Sequence, residues 1–280
     1  MKRLIVNADD FGFTTDVNRG IIEARTTGVL TATTLMANGP AFEDAVRLAK
    51  DHPDLDVGCH LVLVGGPSLL GERSLSERPG QGPRALPRSI PQLLQALALR
   101  RLDIYAELRA QVEKILAGGI VPTHLDTHKH THLLPQVLEA VVRLSAEYRI
   151  RWIRRPFDFP LSGGAERVPW LKRATSRSVG GLRARFHAVV EKHGCRTTDH
   201  FAGFQLTGQF RTRELILLLR SLPEGTTEFM CHPGRCTEEL MCAKTRLKES
   251  REEELRALTD PAVREVLLQE NIQLTSYREL

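Results

Sequence analysis

Seven or eight times along the chain, a short run of apolar and β-branched residues gives way to a longer segment of helical periodicity. This alternation constrains the fold more than any other feature. The strand-like runs lie at 4–6, 31–36, 56–60, 123–128, 150–153, 200–204, 226–230 and 272–275. The helical segments between them run from a cap near Thr15 or Asp16 to Gly28, then over 41–50, 91–100, 103–116, 135–147, 182–192, 212–221, 245–258 and 261–269. Strands separated by helices pair in parallel, and a parallel sheet that closes on itself delivers every strand's carboxyl end to one face. The expected fold is therefore α/β, seven to eight parallel strands in a (β/α) sheet that closes as a barrel, formed by residues 1–280 as one domain. An open doubly wound sheet fits less well, because no Gly-x-Gly-x-x-Gly turn follows the first strand.

Composition removes several other classes. With 41% hydrophobic and 26% charged residues the chain reads as globular, and Asp9-Asp10 interrupts the first apolar run too early for a signal peptide or a membrane span. The five cysteines are odd in number and lack a Cys-x-x-Cys spacing, so no disulfide framework is expected and a cytoplasmic location is. Cys231, His232, Cys236 and Cys242 match no common zinc spacing. The formal charge of +5 is scattered without aromatic interleaving, which argues against a nucleic-acid partner. Local basic groupings at Arg149, Arg151, Arg154 and Arg155, and at Lys172-Arg173, are read as surface or as ligand-steering charge. Residues 65–89, with five glycines and four prolines, read as a long loop shaping the mouth after the third strand, and 160–181 read as irregular.

The polar residues that matter sit where the strands end. Asp9, Asp10, His60, His128, Arg154 and His232 all fall at or just beyond such ends. The densest group is His124-Leu125-Asp126-Thr127-His128-Lys129-His130-Thr131-His132, whose even-numbered residues would share one face if extended. One strand cannot aim five ligands at one ion. The strand is expected to end near His128, with one or two imidazoles binding and the others orienting them or bonding substrate. Asp10, His60 and one histidine of this run make a carboxylate-and-two-imidazole set for a divalent ion, leaving room for water and a substrate oxygen. Asp9 fits a general base and His232 a general acid. The plainer readings are that the aspartates cap the following helix and that His232-Pro233-Gly234 is only a turn.

Taken together, Asn7-Ala8-Asp9-Asp10-Phe11-Gly12, Gly58-x-His60-Leu61, His124-x-Asp126-x-His128-x-His130 and His232-Pro233-Gly234 resemble, in order and over nearly the whole chain, the YdjC-like carbohydrate deacetylases. The resemblance implies a distorted TIM-like (β/α) barrel that removes an acetyl group from an N-acetylated amino sugar, either a chito-oligosaccharide or a lipid- or hopanoid-linked N-acetylglucosamine. By motif position it implies Asp10, His60 and His128 as ligands of one divalent ion, zinc or magnesium, Asp9 as base and His232 as acid. His130 and Arg154 are assigned to substrate. The segments 58–65 and 151–154 resemble the hopanoid-associated branch more than the chitobiose one. Peripheral membrane contact would follow only from a lipid-linked substrate, and a homodimer is left open. The rival readings are a metal-dependent phosphoesterase and a non-catalytic carbohydrate-binding protein.

Overall fold

The computed structural model describes residues 1–71, 85–160 and 181–280. Its strands all run parallel in one sheet: β1 (Lys2–Phe11), β2 (Ala32–Leu35), β3 (Asp56–Leu61), β4 (His124–Thr127), β5 (Trp152–Ile153), β6 (His200–Ala202), β7 (Gly225–Cys231) and β8 (Ile272–Leu274). Their order is β5-β4-β3-β2-β1-β7-β6, with β8 set on β1. One edge of β1 pairs with β7 from Lys2 to Ala8, and the other is shared between β8 at its start and β2 at its end. The sheet curls until β5 approaches β6. Among the described residues, isolated backbone bonds stitch that seam: the Ile153 amide donates to the Arg196 carbonyl and the Phe159 amide to the Phe201 carbonyl, both at 2.9 Å, and the Arg196 amide to the Arg151 carbonyl at 2.8 Å. The result is a distorted TIM-like barrel: the alternation leads to its parallel strands and the family resemblance to its shape.

The helices are α1 (Thr15–Thr26), α2 (Phe42–Asp51), α3 (Ile90–Ala98), α4 (Ile104–Ala117), α5 (Pro135–Tyr148), α6 (Arg183–Lys192), α7 (Thr212–Arg220), α8 (Glu238–Cys242), α9 (Glu249–Thr259) and α10 (Pro261–Gln269). Side chains of Thr14, Ser89, Asp103 and Asp260 accept from first-turn amides, which satisfies donors that a helix start leaves open. Thr14, not Asp9 or Asp10, caps α1, so the capping alternative for the two aspartates does not apply.

Strand alternation then divides the core in two. Leu4, Val6 and Ala8 of β1, with Cys59 and Leu125, face the helices in the main apolar core. Ile5, Ala32 and Tyr277 form a small second cluster inside the sheet. Much of the rest of the enclosed space is polar: Asn7, Asp9, His60, His124, Asp126, Arg154 and Glu228 are all buried.

Several boundaries differ from those read in the sequence: β5 begins only at Trp152 and β6 ends at Ala202. β1 continues past residue 6 through Asp9-Asp10, the histidine strand stops at Thr127, and the helix expected over 245–258 begins at Glu249 with the short α8 before it. Most of the 65–89 loop, the 160–181 segment and the Lys172-Arg173 pair lie outside the described residues.

The turn after β7 is pressed onto α1. A Cβ added to Gly20 would lie 2.4 Å from the Gly234 Cα, a backbone neighbour that cannot swing aside. Gly20→Ala is expected to cost about 1–3 kcal/mol as overpacking, read as a lower urea midpoint, and to reduce activity by displacing His232.

Candidate active site

Adjacent residues of a strand point to opposite faces, so Asp9 and Asp10 should not both reach one centre. A break in register makes it happen. The β1–β2 ladder slips between Ala8 and Phe11, and Asp10 takes a left-handed conformation with φ of 71°. Bulges of this kind re-aim side chains beside functional sites. Asp9 thus meets Arg154 and His232, while Asp10 meets His60, His128 and Arg251.

Asp10 Oδ1, His60 Nε2 and His128 Nδ1 form a compact triangle. Its edges are 3.4 Å from carboxylate to His60, 3.3 Å from carboxylate to His128 and 3.1 Å between the imidazoles. Donor atoms around an ion bound at about 2.0–2.1 Å lie about 3.0–3.4 Å apart for angles between octahedral and tetrahedral, so the triangle has the right size for zinc or magnesium. Asp10 Oδ1 is buried without a hydrogen-bond partner, which leaves its lone pairs available. Asp10 Oδ2 is already taken by Arg251 Nη2 at 2.5 Å, so only one oxygen is on offer.

His60 is aimed from behind. It stands opposite Asp126 across the β3–β4 ladder, and its Nδ1 lies 2.8 Å from Asp126 Oδ1 and 3.1 Å from Thr34 Oγ1. A carboxylate at Nδ1 fixes the tautomer that presents Nε2 as a ligand. Burial by itself would pull the imidazole's pKa down, yet Asp126, Asp10 and Asp9 carry it up to about 10. The pocket calls for positive charge. Five buried carboxylates, Asp9, Asp10, Asp126, Glu228 and Glu254, face two buried guanidiniums, Arg154 and Arg251, and a divalent cation would answer that excess.

Arg154 is placed differently from its expected role toward substrate. Its side chain is wholly buried, with Nη1 and Nη2 donating to Asp9 at 2.8 and 2.7 Å and Nε to Glu228 at 2.7 Å, and Nη1 also pairs with Asp126. Three carboxylates claim the whole fork, so it orients Asp9 and has no free face for a sugar. Burial would raise the Asp9 carboxyl's pKa, but Arg154 outweighs it and holds Asp9 far below the usual carboxylate range. The basic grouping thus splits: Arg154 and Arg155 are buried and Arg149 and Arg151 are exposed.

His232 sits at the end of β7 with Nε2 3.9 Å from Asp9 Oδ2. Burial chiefly, against the pull of Asp9 and Asp10, lowers it to about 4. Its turn is fixed to α1 through Asp16, whose carboxylate accepts from the Thr237 amide and hydroxyl and the Leu240 amide.

The histidine run does not stay extended. After Thr127 it turns through a 3₁₀ segment (His128–Leu133) in which Lys129 and His130 both have left-handed backbones. Only His128 of the four histidines joins the triangle. His124 is structural: it bonds Thr123 and Asn7 and stacks on Tyr277 at 4.0 Å. A Cβ on Gly58 would meet its ring at 2.6 Å, which explains the glycine two residues before His60. His132 folds beneath, tied to Thr127 and the Arg154 carbonyl. His130 is buried with Nδ1 unpartnered, its ring packed near Phe201 and Phe204. The start of the 65–89 loop is anchored by Glu107, which accepts from the Ser68 hydroxyl and the Leu69 amide.

The fold and this site define a barrel whose strand ends assemble one metal-fitting triangle beside a carboxylate and an imidazole. The profile of the YdjC-like protein family matches residues 3–269, and the chain belongs to that family. Carbohydrate deacetylases from Geobacillus stearothermophilus and Brevibacillus brevis are 37% and 35% identical to it. The first alignment covers 98% of this chain and 96% of the relative, the second 99% of each. A solved Enterococcus faecalis structure, named for cellobiose-phosphate cleavage, is 26% identical with a TM-score of 0.77 and covers 99% of this chain and 98% of its own.

Two outcomes separate the histidines. His128→Ala should abolish metal retention whereas His132→Ala should not, measured as metal content of the purified proteins; equal behaviour of the two would refute the assignment. His132 is held neutral, its pKa lowered to about 3, mainly by burial. A depressed folded value means its stabilising contribution is full above the unfolded pKa near 6.5 and declines as pH falls toward 3. The stability gap between wild type and His132→Ala should therefore shrink by about 1.4 kcal/mol per pH unit below 6.5 in urea titrations.

Proposed function

We propose that this chain, acting as one domain over residues 1–280, hydrolyses the acetamide of an N-acetylated amino sugar, with Asp10, His60 and His128 holding one divalent ion. The observation that carries this reading is the triangle of donor atoms set beside Asp9 and His232, two groups suited to opposite ends of a proton transfer. The carbohydrate deacetylases aligned over nearly the whole chain support a sugar substrate.

A bound ion at this triangle would supply Lewis acidity, polarising the acetyl carbonyl and making water easier to deprotonate. The remaining chemistry falls to the chain. Asp9 is ionised at any working pH, and because Arg154 depresses its pKa it is a weak base suited to taking a proton only from acidified water. His232, neutral at rest because of burial, faces Asp9 through Nε2 and can take from it the proton drawn from water, then pass it to the departing nitrogen, which leaves poorly as an anion. His130, buried with a free Nδ1 in an aromatic wall, contacts the sugar or its acetamido group.

A metal-dependent phosphoesterase would commonly need a second ion to clamp both oxygens of the displacement. The position for it is already filled. Asp9, His60 and Asp126 also bring donor atoms together, but the Arg154 guanidinium pairs with both carboxylates there. A single ion with a built-in cation beside it favours amide hydrolysis. A purely sugar-binding protein would have no use for the Asp9 and His232 pair.

The test is acetate release from free, oligomeric and lipid-linked N-acetyl sugars, with and without chelator. Acetate, abolished by chelation and restored by one equivalent of ion per chain, is expected; phosphate release with two ions would overturn the reading. Asp9→Asn should retain metal and sugar binding while turnover falls about a hundredfold or more, the scale for a general base.

A further inference from the structure

Helix α9 supplies the centre with two buried charges one turn apart. Arg251 reaches Asp10, and Glu254, three residues on, reaches the turn that carries His232. Glu254 Oε2 accepts from the His232 backbone amide at 2.6 Å, Oε1 accepts from the Gly208 amide at 2.8 Å, and the carboxylate is 1% exposed. Those bonds alone would make it a clamp on two loops. A further observation goes beyond that: His232 Nδ1 is buried without a hydrogen-bond partner and lies 4.0 Å from the same Oε2.

An imidazole that donates a proton must be protonated at both nitrogens just before transfer. With Nε2 toward Asp9, the second N–H falls on Nδ1, and a buried donor left without an acceptor is costly. Asp9, Asp10, Arg251 and His60 also act electrostatically on this ring. Of the charged partners paired with His232, Asp9 is met by Nε2 and Glu254 by Nδ1. Closing that gap to hydrogen-bond length, about 2.8 Å, takes a displacement on the order of 1 Å.

We propose that Glu254 is a positioning residue that receives the His232 Nδ1–H, fixing the ring so that Nε2–H faces the departing nitrogen. This rests on the deacetylase reading for the reaction it serves. In the step, the Nε2–H bond breaks and a new N–H bond forms on the sugar nitrogen, which takes the C–N electron pair. The Nδ1–H stays in place and Glu254 remains a carboxylate.

Glu254→Gln, measured as metal-replete enzyme, tests the idea. Kcat for the acetamide should fall about 100- to 1,000-fold with KM changed less than about threefold, within the range for a general acid. An aryl acetate, whose phenolate leaves without a proton, should be largely spared. Metal content should match wild type. In ¹⁵N-histidine spectra the His232 Nδ1 proton should be hydrogen-bonded in wild type and lose that signature in the variant. Equal losses on amide and ester, or a wild-type spectrum without a bonded Nδ1 proton, would show that Glu254 only holds the turn. If Glu254→Gln does not fold, the wild-type spectrum decides alone. If wild type releases no acetate from any acetamide, the functional reading fails while the spectrum still judges Glu254.

Discussion

The buried guanidinium of Arg154 is the interaction on which the site depends. It ties β5 to β1, β4 and β7 through Asp9, Asp126 and Glu228, so four strands of a curled sheet converge on one cation. Removing one partner of such a buried set typically costs about 3–5 kcal/mol, because the others are left charged and unpaired. The same contacts make chemistry possible. Asp126 is turned toward His60 Nδ1, and Asp9 is kept ionised and oriented. Stability and reactivity here share the same bonds.

How the sequence foretold the site follows from where periodicity holds. Alternation places Asp9, Asp10, His60, Arg154 and His232 at strand ends, whereas the cross-strand register that makes Asp126 the neighbour of His60 is set by how β3 and β4 pair and is announced by no spacing in the chain. Periodicity says nothing where the backbone leaves regular geometry. Nothing in Asp9-Asp10 announces the bulge that turns both inward. Nothing in the histidine run shows that Lys129 and His130 adopt left-handed conformations, which ends the alternation just where it was counted on.

Two kinds of residue defeat the usual rule that charged side chains face solvent. Arg154 follows the strand end directly and reads as a residue of the mouth, and arginine is rarely buried; the preceding apolar Ile153 is a weak local hint of burial, because Arg155 follows it. Arg251 and Glu254 lie in Glu249-Ser250-Arg251-Glu252-Glu253-Glu254-Leu255-Arg256, a stretch that reads as a solvated helix face. Spacing gives one clue: residues 251, 254, 255 and 258 share a helical stripe, and Leu255 and Leu258 are buried. Charges on the stripe that carries the leucines are charges inside the protein.

The two halves of the proposed reaction draw on different parts of the fold. Asp9 and Asp10 stand on β1, His60 on β3 and His128 just beyond β4, all within or at the end of the strands that build the sheet. His232 stands beyond β7 in a turn that reaches its place only through contacts with α1 and α9: Asp16, the Gly20–Gly234 approach and Glu254. A group on such a turn can move slightly without disturbing the metal triangle. Proton delivery to the leaving nitrogen comes late in amide hydrolysis, so a donor able to close about 1 Å onto Glu254 while the ligands stay fixed suits the order of events.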